Sequence, residues 1–203
     1  MKKTILTLAC VLLVSMTAGA QNADKAKAVL DKTAALIGNK GGASAHFTMT
    51  GNKAGTIAGD IAIKGNQFKA TTPDGIFWYN GKTQWAYVKS TEEVNISTPN
   101  EAQQAQMNPY SFLTLYKNGY DLSMTTSKGN HEVHMKAKDA KKKIKEVYIT
   151  INSTTNLPSK VRLLQNGKWT TITISQFKKA NLSDATFTFN PKDYPDAEIV
   201  DLR

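Results

Sequence analysis

A chain of 203 residues that is 40% hydrophobic and 21% charged has the make-up of a globular protein and excludes the disordered, collagenous and membrane-spanning classes. Its formal net charge of +10 raises nucleic acid as a partner, because Lys and Arg gain affinity by displacing phosphate counterions. The composition of that charge argues against it: apart from Arg162 and Arg203, every cation is a lysine, which lacks the planar bidentate contacts that base reading favours.

Residues 1–20 differ from the rest. Lys2 and Lys3 precede an apolar run from Ile5 to Val14, and Ala18-Gly19-Ala20 follows; this is the order of a secretory signal peptide with a small-residue cleavage site. The run is shorter than the roughly 20 apolar residues a permanent membrane span needs. The expected product is residues 21–203, a single domain exported to the periplasm. The lone cysteine, Cys10, lies inside the apolar run rather than at its end, which argues against a lipid-attachment site. With no disulfide to form, the expected domain must be held by packing and hydrogen bonds.

The expected domain opens with a helix. Ala26, Val29, Leu30, Thr33 and Ile37 share one face at the 3.6-residue period, with Asn22 as the expected cap, Asp24 in the first turn and Gly38 at the end. From Ala43 the period becomes two: Ala43, Ala45, Phe47 and Met49 alternate with Ser44, His46, Thr48 and Thr50, the pattern of a half-buried strand. The alternation returns at Ile57 to Ile63, Phe68 and Ala70, Ile76 and Trp78, Trp85 and Tyr87, and Val94 and Ile96. Gly65-Asn66, Asp74-Gly75 and Asn80-Gly81 separate these segments with pairs that accept positive φ, so antiparallel hairpins are expected.

Glu101 to Gln106 interrupts the pattern. Asn108-Pro109 then supplies a cap and a first-turn proline for a short helix bearing Phe112, Leu113 and Tyr116 on one face and stopped by Gly119. Alternation resumes at Leu122, Val133, Val147 to Ile151, Val161, Ile172 and, last, Phe187 with Phe189. Eleven or twelve strands are too many for a sheet to stay flat. The expected class is mainly β with helices (α+β): a strongly curved antiparallel sheet, an incomplete β-barrel, with the helices as a lid over its concave side.

Catalytic and metal constellations are poorly supported. His131 and His134 are three apart on an expected strand and so face opposite ways. Ser44 sits in Gly-Ala-Ser-Ala-His on a strand, without the second glycine or the helix of a nucleophile elbow. Glu92 and Glu93 are adjacent and point apart, which does not make a cooperating acid and base. The expectation is a protein that is not an enzyme and holds no cofactor. Two features need another account. Phe77, Trp78, Tyr79, Trp85 and Tyr87 are apolar at both parities, which fits either a sheet covered on both faces or a concave face lined for an apolar ligand. The run Lys136, Lys138, Lys141, Lys142, Lys143 and Lys145 covers a solvated hairpin or meets an anionic membrane surface or an acidic partner.

The order Gly59-Asp60-Ile61-Ala62-Ile63-Lys64, Asn80-Gly81-Lys82-Thr83-Gln84-Trp85-Ala86-Tyr87, Asn108-Pro109-Tyr110-Ser111-Phe112-Leu113 and Phe187-Thr188-Phe189-Asn190-Pro191 resembles the LolA family of periplasmic outer-membrane lipoprotein carriers. The ending Glu198 to Arg203 is similar to its Bacteroidetes variant. The resemblance implies a monomeric half-barrel that takes acylated lipoproteins from an inner-membrane lipoprotein-release complex, shields their acyl chains and yields them to an outer-membrane acceptor, with transient membrane contact. It places Phe68 and Trp85 among the family's sheet aromatics and Phe112 and Leu113 in its lid. It also shows a departure: the Arg-Pro pair that follows the strand lysine in better-known members, and whose Arg tethers the lid, is replaced after Lys64 by Gly65 and Asn66. Without that tether, Phe112, Leu113 and Tyr116 are expected to hold the lid by apolar contact.

Strand parity and the helix stripe give the expected ligand-binding residues: Phe47, Met49, Ile61, Ile63, Phe68, Trp78, Trp85, Phe112, Leu113 and Tyr116. Met107, Met124 and Met135 join Met49 as side chains able to repack around variable chains. The alternative function is an envelope sensor or regulatory protein using the same half-barrel, since fold alone does not separate the two.

Overall fold

Nearly every alternating segment of the sequence enters one twelve-stranded sheet. The computed structural model describes residues 22–51, 55–100 and 112–203; the expected leader, the Glu101 to Gln106 interruption, the Asn108-Pro109 helix start and Met107 lie outside them. The strands are β1 (Ala43–Gly51), β2 (Gly55–Lys64), β3 (Gln67–Thr71), β4 (Gly75–Tyr79), β5 (Gln84–Val88), β6 (Glu93–Ser97), β7 (Tyr120–Ser127), β8 (Asn130–Ala137), β9 (Ile144–Asn152), β10 (Pro158–Gln165), β11 (Lys168–Lys179) and β12 (Glu198–Asp201). Their spatial order is β12-β6-β5-β4-β3-β2-β1-β11-β10-β9-β8-β7. Two antiparallel meanders therefore join where β1 pairs with β11, and β7 and β12 are edges that do not meet. The result is a curved, unclosed sheet, an incomplete β-barrel.

Two expectations fail at the C-terminal end. Phe187 and Phe189 do not form a strand; Asp184–Phe187 is a 3-10 turn and both rings are buried against the sheet. The twelfth strand is instead Glu198–Asp201, which pairs in parallel with β6. Its four residues are too few for alternation to announce it. The turn pairs divide similarly: Gly65 and Gly81 take positive φ (+59° and +96°), whereas Gly75 lies within β4.

Helix α1 spans residues 22–37, and Ala26, Leu30, Thr33 and Ile37 form its buried face, the expected 3.6-residue stripe. Asn22 does not cap it. Its side chain accepts from Met124 N (2.7 Å) and donates to Met124 O (3.0 Å), pairing with the edge strand β7 as another strand would. At the other end Thr33 Oγ1 donates to Asn156 O (3.0 Å) in the β9–β10 turn. Anchored at both places, α1 lies across the concave face of β7–β10. There Ala26 and Leu30 join Val133, Met135, Val147, Ile149 and Ile151 in one core.

The convex face carries a second, smaller core where β4, β5 and β6 lie. Trp78, Val94 and Phe189 are buried together, with Ile76, Trp85, Tyr87 and Tyr194 around them. Trp78 meets Phe189 and Tyr194 edge-on at 5.6 and 5.7 Å between ring centroids. Both parities of β4 are apolar for this reason: Tyr79 faces the concave core, and Trp78 is roofed by the C-terminal segment.

Candidate ligand-binding cavity

Where α1 ends, the concave face is not filled. A cavity of about 360 Å³ opens over β10, β11, β1, β2 and β3, within the usual range of roughly 300–1,000 Å³ for ligand sites. Cross-strand register builds its wall. Phe47 stands opposite Ile174 on one side and Gly59 on the other, and Met49 stands opposite Ile172 and Ile57. Ile63 pairs with Phe68, and Ile61 with Ala70. The absence of a side chain at Gly59 is required here, since a Cβ would lie 3.1 Å from Phe47 Cζ and run into the Thr71 carbonyl. Against β11 the register shifts between Ser44 and His46, where Gln176 takes a positive φ (+53°), and Ala43, Ser44 and Ala45 beside this bulge all belong to the lining.

Among the described residues, only Ser44, Gln165 and Thr170 contribute polar side chains to the lining, and none of those lining it is Asp, Glu, His, Lys or Arg. Such a surface can take up apolar groups, and its described residues include no acid, base or metal ligand. The histidines are engaged elsewhere: His134 Nε2 is 3.0 Å from Glu146 Oε2 with its ring stacked on Tyr148 at 4.2 Å, and His131 Nδ1 is 2.8 Å from Thr126 Oγ1.

Seven of the ten expected residues line the cavity: Phe47, Met49, Ile61, Ile63, Phe68, Phe112 and Leu113. Trp78 and Trp85 do not. They pair with each other across β4 and β5 on the convex side, in the cluster with Phe189. The parity that suited a ligand is satisfied instead by a chain segment that returns from more than a hundred residues away. Tyr116 does not line the cavity either. It lies on the 3-10 turn Leu115–Asn118 that Gly119 ends in the left-handed conformation, and its hydroxyl donates to Asp31 of α1. Lys27 Nζ also donates to Asp31 (2.7 Å), and the Lys27 and Lys117 ammonium groups lie 5.8 and 5.9 Å from the Tyr116 ring centre. The Lys27 and Tyr116 hydrogen bonds hold the Asp31 carboxyl below the usual carboxylate range. The segment over the cavity is thus held by the buried Phe112 and Leu113 and also by a polar tie to α1.

The sequence reading missed the contribution of β10 and β11: Val161, Leu163, Ile172, Ile174 and Phe177 line the cavity as much as β1 and β2 do. Their alternation was visible, but the β1–β11 pairing that sets them beside Phe47 was not. Of the methionines, Met49 reaches the cavity and Met135 is fully buried in the core under α1. Met124 packs at that core's edge.

A family model described as outer membrane lipoprotein carrier protein LolA matches residues 16–168. The chain belongs to this family. No curated protein sequence matches it significantly. Among solved structures, an uncharacterized conserved protein from Thermus thermophilus is similar in fold, with a TM-score of 0.59 at 15% identity over 87% of this chain and 99% of that one. A LolA superfamily protein from Nitrosomonas europaea follows at 0.44 and 10% identity, covering 81% and 97%. The Pseudomonas aeruginosa MucA/MucB complex gives 0.46 and 14%, covering 83% and 62%.

At the position where the LolA resemblance expects a lid-tethering Arg, Gly65 forms the β2–β3 turn. The preceding Lys64 turns the other way, donating to Leu182 O (3.0 Å) and pairing with Asp184 (2.9 Å). It thereby fixes the start of the C-terminal segment that roofs Trp78. Among the described residues, the segment that follows Leu113 is tied instead to α1, through Tyr116 and Asp31.

Proposed function

We propose that this protein carries the acyl chains of lipoproteins in the concave cavity, taking them from the inner-membrane release complex and yielding them to an outer-membrane acceptor. The observation that carries the reading is a cavity of about 360 Å³ whose lining, among the described residues, is apolar except for three neutral side chains, in a chain of the lipoprotein-carrier family. Each methylene of an acyl chain exposed to water costs about 0.8 kcal/mol, so soluble transport needs such a cavity and no covalent chemistry. Met49 and the half-buried aliphatic residues around it suit chains of variable shape. On this reading residues 1–20 are removed on export and residues 21–203 work as one unit in the periplasm.

The test is release of a labelled lipoprotein from inner-membrane vesicles. The wild-type protein is expected to bring label into a soluble complex. Phe112→Glu and Leu113→Glu, which put a charge into a lining that offers it no partner, are expected to release at least a hundredfold less while the sheet still folds. Label that stays with the vesicles, or equal release by the variants with unchanged circular dichroism, contradicts the reading.

A further inference from the structure

One end of the cavity is bordered by a concentration of positive charge. Leu113 and Ile144 both line the cavity. Lys117 follows the first by one turn, and the β8–β9 hairpin brings Lys138, Lys141, Lys142 and Lys143 to the second, with Lys145 just beyond. The two stretches are joined: Lys138 N donates to Gly119 O (3.1 Å), Lys142 Nζ lies 5.3 Å from the centre of the Tyr120 ring, and Tyr120 Oη donates to Ile144 O (2.9 Å). Acids near these six lysines include Asp31, whose carboxyl the Lys117 charge helps to hold low. Asp121 pairs with Lys138 (3.3 Å), and Asp139 accepts from the backbone of Lys141 (2.7 Å). Lys117, Lys141 and Lys143 are exposed and form no ion pair among the described residues.

We infer that this lysine hairpin, with Lys117, is a docking surface for anionic phospholipid, setting that end of the cavity against a membrane. Two arguments favour lipid over an acidic protein. Lysines are depleted at protein interfaces, whose anchors are aromatic residues and Arg, and both arginines of the chain, Arg162 and Arg203, lie on other elements. A compact, hydrated ammonium on a flexible stem suits a diffuse layer of headgroup charge, not a fixed carboxylate. The place also fits, because a charge cluster beside Leu113 and Ile144 would set one end of the apolar cavity against a bilayer. The surface is separate from acyl binding, and its test needs no cargo.

The protein purified from the envelope of its expressing cells is sedimented with vesicles of phosphatidylcholine containing phosphatidylglycerol, or of phosphatidylcholine alone. Each lysine near an anionic surface strengthens binding roughly fivefold. The combined Lys117→Gln, Lys141→Gln and Lys143→Gln variant is therefore expected to bind anionic vesicles roughly a hundredfold more weakly than wild type. Removal of the same charge at Lys82, Lys160 and Lys192, which lie on other parts of the surface, is expected to cost far less. Wild-type binding is also expected to weaken as salt rises. An unchanged acyl-probe affinity in the hairpin variant shows that the fold and the cavity survive. Binding that is equal on neutral vesicles, or lost equally in both variants, overturns the proposal. So does a wild type that ignores anionic vesicles at low salt, an outcome that leaves the hairpin to an acidic protein.

Discussion

The two halves of the concave face share one sequence pattern and have opposite fates. Over β8 and β9 the inward residues Val133, Met135, Val147, Ile149 and Ile151 are fully buried because α1 lies on them. Over β11, β1 and β2 the equivalent residues Phe47, Met49, Ile61, Ile172 and Ile174 are only half-buried and line an open cavity. Alternation therefore records which face is apolar, and the reach of a single helix decides whether that face becomes core or site. α1 is clamped at Met124 and Asn156, so it stops short of β1 and leaves the hollow.

Substitution separates the halves most sharply. Ile149→Ala removes a side chain that nothing can replace and is expected to cost about 2–5 kcal/mol of stability, read as a lower urea midpoint, with acyl-probe affinity unchanged. Ile172→Ala enlarges a space that is already open and is expected to cost about 1 kcal/mol while weakening probe binding. Equal costs at the two positions would mean that the cavity collapses in solution.

Tyr79 sharpens the contrast on the hollow side. It is buried beside Phe68, 5.7 Å between ring centroids, burial pushes its phenol up, and its hydroxyl has no partner among the described residues. An unsatisfied buried hydroxyl costs about 1–3 kcal/mol. Tyr79→Phe is therefore expected to raise stability by about 1 kcal/mol in thermal unfolding. A loss of that size instead would show that the hydroxyl is bonded in solution.

The sequence made the two meanders, the α1 stripe and seven cavity residues legible, because each rests on local periodicity. It misassigned Trp78 and Trp85 because their cover, Phe189 and Tyr194, comes from a segment without regular pattern. It missed Ile172 and Ile174 because their place beside Met49 and Phe47 depends on pairing between strands at opposite ends of the domain. The polar tie of Tyr116 was hidden for the same reason, its acceptor lying 85 residues away.

That tie carries the smallest expected effect. Asp31 is titrated at a lower pH in the folded state than when unfolded. Its contribution is therefore present above the unfolded value near 3.8 and is lost as pH falls through the lower folded value. Because the Asp31 side chain is 43% exposed, the tie is worth only about 0.5 kcal/mol. Tyr116→Phe is expected to lose that amount at pH 7 and to speed amide exchange at 115–118, with β8 and β9 unaffected. The difference from wild type should shrink as pH falls below 3.8 and through the lower folded value, and a difference that does not change with pH would assign the effect to packing.

The central claim is that the concave hollow, not the convex aromatic cluster, receives the acyl chain. A fatty-acyl probe bearing a photoactivatable diazirine near its methyl end, cross-linked to the protein and mapped by peptide mass spectrometry, tests it directly. Adducts are expected on β1, β2 and β11 at residues such as Phe47, Met49, Ile61 and Ile172, and on Phe112 or Leu113. Adducts concentrated on Trp78, Trp85, Phe189 or Tyr194 would contradict the account.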